Sequence, residues 1–180
     1  MASSRVMKNE YLQLGFDSST GRLQYLESLD ESIVIDMIQS MLYYVPSDSI
    51  EQTSGAYIFR PQANEPPRNL TITSYSFVDG NNVKELKLVF NESSITQITR
   101  LYVGLDDIMG NYLDIEMHLG PLNVSYPVED GKEYITRFQT SIQNEKTFYT
   151  DDSGLEMQTR ITNYPNGRPG DLDEGVILAG

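Results

Sequence analysis

The chain contains no cysteine and a single histidine, and its 13 basic residues are outnumbered by 26 acidic ones. The absence of cysteine excludes disulfides, thiolate metal sites and a cysteine nucleophile, and it leaves redox chemistry silent about the compartment. A net charge of -13 with no Lys/Arg cluster provides no face for phosphates, so nucleic acid is excluded as a partner. No apolar run approaches the length of a membrane span, which argues against a membrane partner. The first eight residues, Met1 to Lys8, lack the apolar core of a signal peptide. They are expected to form a disordered N-terminal segment.

What remains is a chain of 180 residues, 39% hydrophobic and 22% charged, long enough for one domain with a real core. Alternating apolar and polar positions recur along it. Tyr11, Leu12, Leu14 and Phe16 lead through Asp17-Ser18-Ser19-Thr20-Gly21 to Leu23, Tyr25 and Leu26, a hairpin pattern. Residues 32–45 are ambiguous. Ile33, Val34, Met37, Ile38, Met41 and Leu42 fit a helical stripe, while Leu42 to Val45 favour a strand by aromatic and β-branched content.

From Leu70 to Val78 the sequence alternates at period two, and Asp79-Gly80-Asn81-Asn82 supplies a turn before Glu85 to Phe90 run back. Ile95 to Val103 and Tyr112 to Leu119 read as a further strand pair, with Asp114, Glu116 and His118 facing water. Glu133 to Thr140, Phe148-Tyr149 and Met157 to Tyr164 complete the series. Short strands at intervals near ten residues, with turn signals between them, predict an all-β antiparallel sandwich with little helix over residues 9–164. Residues 165–180, rich in Pro, Gly and Asp, are expected to form a disordered tail.

Several separated segments carry a resemblance. Ser54-Gly55-Ala56-Tyr57-Ile58-Phe59-Arg60-Pro61 resembles the Ser-Gly-Ala-Tyr-hydrophobic-Phe-x-Pro segment of family 38 glycoside hydrolases, the zinc-dependent α-mannosidases. Leu119-Gly120-Pro121-Leu122, Gly131-Lys132-Glu133-Tyr134-Ile135-Thr136-Arg137-Phe138 and Phe148-Tyr149-Thr150-Asp151-Asp152-Ser153-Gly154 resemble later segments in the same order. After Tyr164 the chain departs from that pattern.

The resemblance implies the C-terminal-type β-sandwich of a retaining mannosidase, a fragment whose missing catalytic domain holds the zinc ligands and the nucleophile. It implies zinc as cofactor of the parent family and none in this chain. α-Mannosides or N-glycan-type oligosaccharides would be the parent's substrates, in a lysosomal, vacuolar or secretory compartment. The acidic surface suits such a compartment, or simply solubility. By the resemblance Tyr57 is a candidate wall of the sugar site, while an ordinary reading makes it a core residue with its hydroxyl at the rim. Gly55 marks either close backbone approach or a bulge. Asp151 and Arg160 are candidates for sugar contacts, or a turn aspartate and a surface cation. His118 reads as a solvated side chain, since a zinc site needs three or four converging ligands.

Asp106-Asp107 and Asp151-Asp152 are adjacent pairs that would point apart, so neither makes a retaining carboxylate couple. Asn69, Asn91 and Asn123 head N-x-S/T sequences. The alternative function is a non-catalytic carbohydrate- or protein-binding sandwich. Apolar surface cut from a larger enzyme would favour self-association.

Overall fold

The computed structural model describes residues 4–47, 54, 59–62, 65–92, 94–121, 132–151 and 153–161. Its contacts divide the chain into two units, Met1–Val45 with Pro66–Ser141, and Pro46–Glu65 with Ile142–Gly180.

The first unit is built from two antiparallel sheets. One runs β1 (Ser4–Lys8), β2 (Leu12–Asp17), β3 (Leu23–Ser28), β4 (Ile33–Tyr44) and β10 (Glu133–Thr140), with β5 (Arg68–Asn69) also pairing β4. The other runs β6 (Ile72–Asp79), β7 (Val83–Phe90), β8 (Ile95–Tyr102) and β9 (Asp114–Leu119). Leu12, Leu14, Phe16, Leu23 and Met41 of the first sheet join Leu86, Leu88, Phe90, Ile95 and Leu101 of the second in one buried cluster. This is the all-β sandwich that the alternation predicts.

Local chemistry explains the turns. Between β2 and β3 the Asp17 carboxylate accepts hydrogen bonds from the Ser19 and Thr20 backbone and hydroxyl groups. Those bonds, the Ser19 hydroxyl foremost, hold its pKa down at about 2. Gly21 follows at φ +73, in the region that favours glycine. Gly15 is needed for a different reason: a Cβ there would lie 1.8 Å from the Tyr25 ring, which covers it from β3.

Asn9 closes the β1–β2 turn by accepting from the Tyr11 and Leu12 amides at 2.9 and 2.7 Å. Its amide nitrogen donates to the Tyr102 and Gly110 carbonyls, each at 2.8 Å. Between the sheets, Gln39 of β4 and Gln97 of β8 exchange two amide hydrogen bonds of 3.0 and 2.8 Å. Thr136 and Thr99 take their remaining donors, so this buried polar pair is satisfied.

Two expectations are corrected and one ambiguity is resolved. The N-terminal segment is not disordered throughout, because Ser4–Lys8 pairs with β2, buries Met7 and sets the Arg5 guanidinium 4.7 Å from the centre of the Phe77 ring. The ambiguous stretch is strand from Ile33 onward, and its two ends pair with β3 and β10. The alternation of β6 changes phase at a bulge between Ile72 and Ser74, where the Thr73 hydroxyl donates to the Val89 carbonyl at 3.1 Å. Both Ile72 and Tyr75 thereby pack against the core.

The little helix expected is seen among the described residues as one short helix, α1 (Asp107–Gly110), whose N-cap Asp106 accepts from the Met109 amide at 2.9 Å. Among the described residues no helix is long and apolar enough to cross a membrane. The expected tail beyond Ile161 lies outside the described residues.

The second unit contributes one hairpin, β11 (Thr147–Asp151) and β12 (Met157–Ile161).

Candidate functional site

Tyr57 and Gly55 lie outside the described residues, but the ends of their segment are defined. The Ser54 hydroxyl donates to the Arg60 carbonyl at 2.6 Å and accepts from the Arg60 amide at 2.9 Å. The Arg60 carbonyl also accepts from the Ser47 amide at 2.7 Å, and Pro46 and Pro61 form an isolated bridge. The serine of the Ser-Gly-Ala-Tyr sequence is thus a backbone staple. The backbone at Ser54, Phe59 and Arg60 is irregular.

Asp151 and Arg160 both sit on the β11–β12 hairpin, which separates them. Asp151 pairs with Met157 and Arg160 with Phe148, and Arg160 lies three positions beyond Met157. Side chains alternate along a strand, so Asp151 and Arg160 emerge on opposite faces. The Asp151 carboxylate accepts from the Gly154 amide at 2.9 Å, closing a turn in which Ser153 and Gly154 both have positive φ. Arg160 donates from Nε to the Thr150 hydroxyl at 3.2 Å. The Asp151 face also carries Tyr149 and Met157, which are 62% and 64% exposed.

Two charged clusters in the first unit were not legible from spacing. In one, Glu92 accepts from Lys132 Nζ at 2.7 Å and from the Tyr134 hydroxyl. The Lys132 ammonium lies 4.8 Å from the centre of the Tyr43 ring, which stands 5.9 Å from that of Tyr134. Burial opposes ionisation of Glu92, but the bonds from Lys132 and Tyr134 outweigh it and hold the carboxyl below its ordinary value. The bond to Glu92 raises Lys132, and burial together with Glu92 pushes the Tyr134 phenol up to about 12. A carboxylate already occupied by two donors is a clamp between the β7–β8 turn and the start of β10, rather than a free base. Lys132 and Tyr134 alternate visibly in sequence; Glu92, 40 residues earlier, gives no signal.

The second cluster lies across β7, β8 and β9. Arg100 pairs with Glu85 at 3.0 Å and with Glu116, which also meets His118 Nε2 at 2.8 Å. Arg100 is raised by Glu116 first and then Glu85, and the Arg100 bond holds Glu116 down. His118 is 54% exposed on this ladder, as its polar strand position suggests. Among the described residues no three His, Cys, Asp or Glu side chains converge to hold a metal, so these residues do not fit a zinc centre.

Asn69 and Asn91 are both exposed, whereas Asn123 lies outside the described residues.

Residues 7–175 match the sequence model for the glycosyl hydrolases family 38 C-terminal domain. The chain belongs to that family.

Among curated proteins it is 35% identical over 164 residues to the lysosomal alpha-mannosidase of Bos taurus, and 32% over 163 residues to that of Dictyostelium discoideum. Each alignment covers 88% of this chain and 15% of the relative. It is 34% identical over 171 residues to the alpha-mannosidase of Canavalia ensiformis, covering 92% of this chain and 16% of that protein. The chain therefore spans about 15% of the length of the curated relatives it matches.

Proposed function

We propose that this chain forms the β-sandwich wall beside the active site of a zinc-dependent, retaining α-mannosidase, and that it does not turn over α-mannosides alone. The observation that carries this reading is the family match over residues 7–175, together with relatives named as alpha-mannosidases. On this reading the nucleophile, a second carboxylate about 5 Å away and the zinc ligands belong to a partner catalytic domain. Tyr57 supplies one wall of the sugar site. Asp151 and Arg160 face opposite ways, so at most one of them meets the sugar through its hairpin face. The substrates are terminal α-mannosyl groups of N-glycan-type oligosaccharides, and the working compartment is lysosomal, vacuolar or secretory; several relatives are named as lysosomal.

The test is hydrolysis of an aryl α-mannoside in the presence of zinc. The purified chain should match a boiled control; turnover above that control would overturn its dependence on a partner domain. Calorimetric titration with mannose oligosaccharides extends the test. Millimolar or tighter binding by the chain alone would replace this reading with that of a carbohydrate-binding module.

A further inference from the structure

Strand β10 closes one end of its sheet. It pairs with β4 on one side, and among the described residues no strand pairs with it on the other. Elsewhere the sheet edges are short or bent: β1 has five residues, β9 has six, and β6 is broken by its bulge. β10 runs for eight residues, Glu133–Thr140, with no proline and no shift of register. A long, regular edge presents a row of unused backbone donors and acceptors to a further strand.

Two hydrogen bonds show which groups are unused. The Ser141 amide donates to the Asp36 carbonyl of β4 at 3.1 Å, so the odd-numbered residues of β10 turn their N–H and C=O groups toward β4. The Met41 carbonyl, opposite Thr136, instead accepts from the Leu70 amide on the far side of β4 at 2.8 Å. Tyr134, Thr136 and Phe138 therefore turn their backbone groups outward. Side chains follow the same alternation. The Thr136 hydroxyl meets buried Gln39 on the inner face, which places Glu133, Ile135 and Arg137 together on the outer face. Glu133 and Arg137 are exposed, and neither has an ion-pair partner among the described residues.

We propose that a second copy of this chain pairs antiparallel along β10, about a two-fold axis at Ile135. In that register Glu133 stands opposite the partner's Arg137, and Arg137 opposite the partner's Glu133. These are non-hydrogen-bonded positions, where facing side chains lie closest. Tyr134 exchanges N–H···O=C bonds with the partner's Thr136, and the symmetry repeats the pair. A shift of two residues would set Glu133 against the partner's Gln139 or the partner's Ile135, and an in-register parallel pairing would set like charges side by side. Charge complementarity thus selects one register and one occupant. Phe138, 42% exposed on the inner face, gains cover from the partner's Tyr134 on the diagonal. The contact is isologous and closes at two copies.

The experiment is sedimentation velocity of the full chain at high micromolar concentration and physiological ionic strength, where repulsion between two chains of net charge -13 is screened. The wild type should sediment at twice the chain mass. Glu133→Arg and Arg137→Glu each set like charges at both ends of the pairing and should associate about tenfold more weakly. The double variant exchanges the two charges and should dimerise again. An equimolar mixture of the two single variants should dimerise as well, since one chain supplies the cations and the other the anions. A monomeric wild type would overturn the proposal. So would single variants that associate as the wild type does, or a double variant that stays monomeric with an unchanged circular dichroism spectrum. The wild-type measurement decides on its own if any variant fails to fold.

Discussion

The two units of this chain are built on opposite terms. Every buried apolar side chain among the described residues, from Met7 and Phe16 through Leu42 to Ile95 and Leu101, belongs to the unit formed by residues 1–45 and 66–141. The other unit has none among its described residues. Its hairpin exposes Tyr149, Leu155, Met157 and Ile161, and two strands alone are marginal in water. Yet Tyr57, Asp151 and Arg160, the residues that the resemblance marks as sugar-facing, all fall in this second unit. The residues that fix the fold and those that candidate chemistry singles out are therefore segregated, as expected where a rigid scaffold carries functional loops.

Substitutions should expose that asymmetry in order of size. Phe16→Ala, at 2% exposure, removes a ring from the core and should cost about 3–5 kcal/mol in urea denaturation. Met157→Ala, at 64% exposure, should cost less than about 0.5 kcal/mol. Comparable losses at the two positions would erase the distinction between the units.

A smaller effect belongs to the polar pair inside the sandwich. Gln39→Met strands the amide of Gln97 in the core and should cost about 1–3 kcal/mol, whereas the double variant with Gln97→Met should recover much of it. A double variant as damaged as the sum of the singles would show that the two amides are not coupled.

A more modest loss is pH-dependent. Glu92→Gln keeps the shape of the clamp and removes its charge, for a cost of about 1 kcal/mol at neutral pH. The folded pKa of Glu92 lies below its ordinary value of 4.5. Its contribution is therefore complete above that value and lost as pH falls through the folded one. The stability gap between wild type and variant should close in acid; a gap constant down to the acid limit would assign the effect to packing.

The strands with one buried face were readable because their alternation is a direct consequence of the pleat. The β7 core positions Leu86, Leu88 and Phe90 and the β2 positions Leu12, Leu14 and Phe16 show it plainly. The alternation failed as a guide in β4 because both faces of that strand are apolar. Ile33, Met37 and Met41 alternate with Val34, Ile38 and Leu42, and two apolar faces imitate a helical stripe. Pairing with β3 and β10, which lie far apart in sequence, decided the matter.

Strand β1 gave little signal because an edge strand that buries only Met7 needs only one apolar position. Of the candidate site, sequence could supply the residue types but not their sides. That Asp151 and Arg160 emerge on opposite faces is a fact of register, and the closure of Ser54 onto Arg60 and of Glu92 onto Lys132 depends on contacts that no local spacing encodes.

Asn9 carries a consequence for the order of assembly. Two of its four bonds are to carbonyls 93 and 101 residues later, so the β1–β2 turn is completed only after Gly110 has been made. At roughly 5–20 residues per second, that turn waits about 5–20 s on the ribosome with the Asn9 amide paired only to water. Loop-closure entropy must be met before those distant contacts form, which makes their docking a late and slow event. The β1–β2 turn therefore reaches its full set of hydrogen bonds only once the segment through Gly110 has docked.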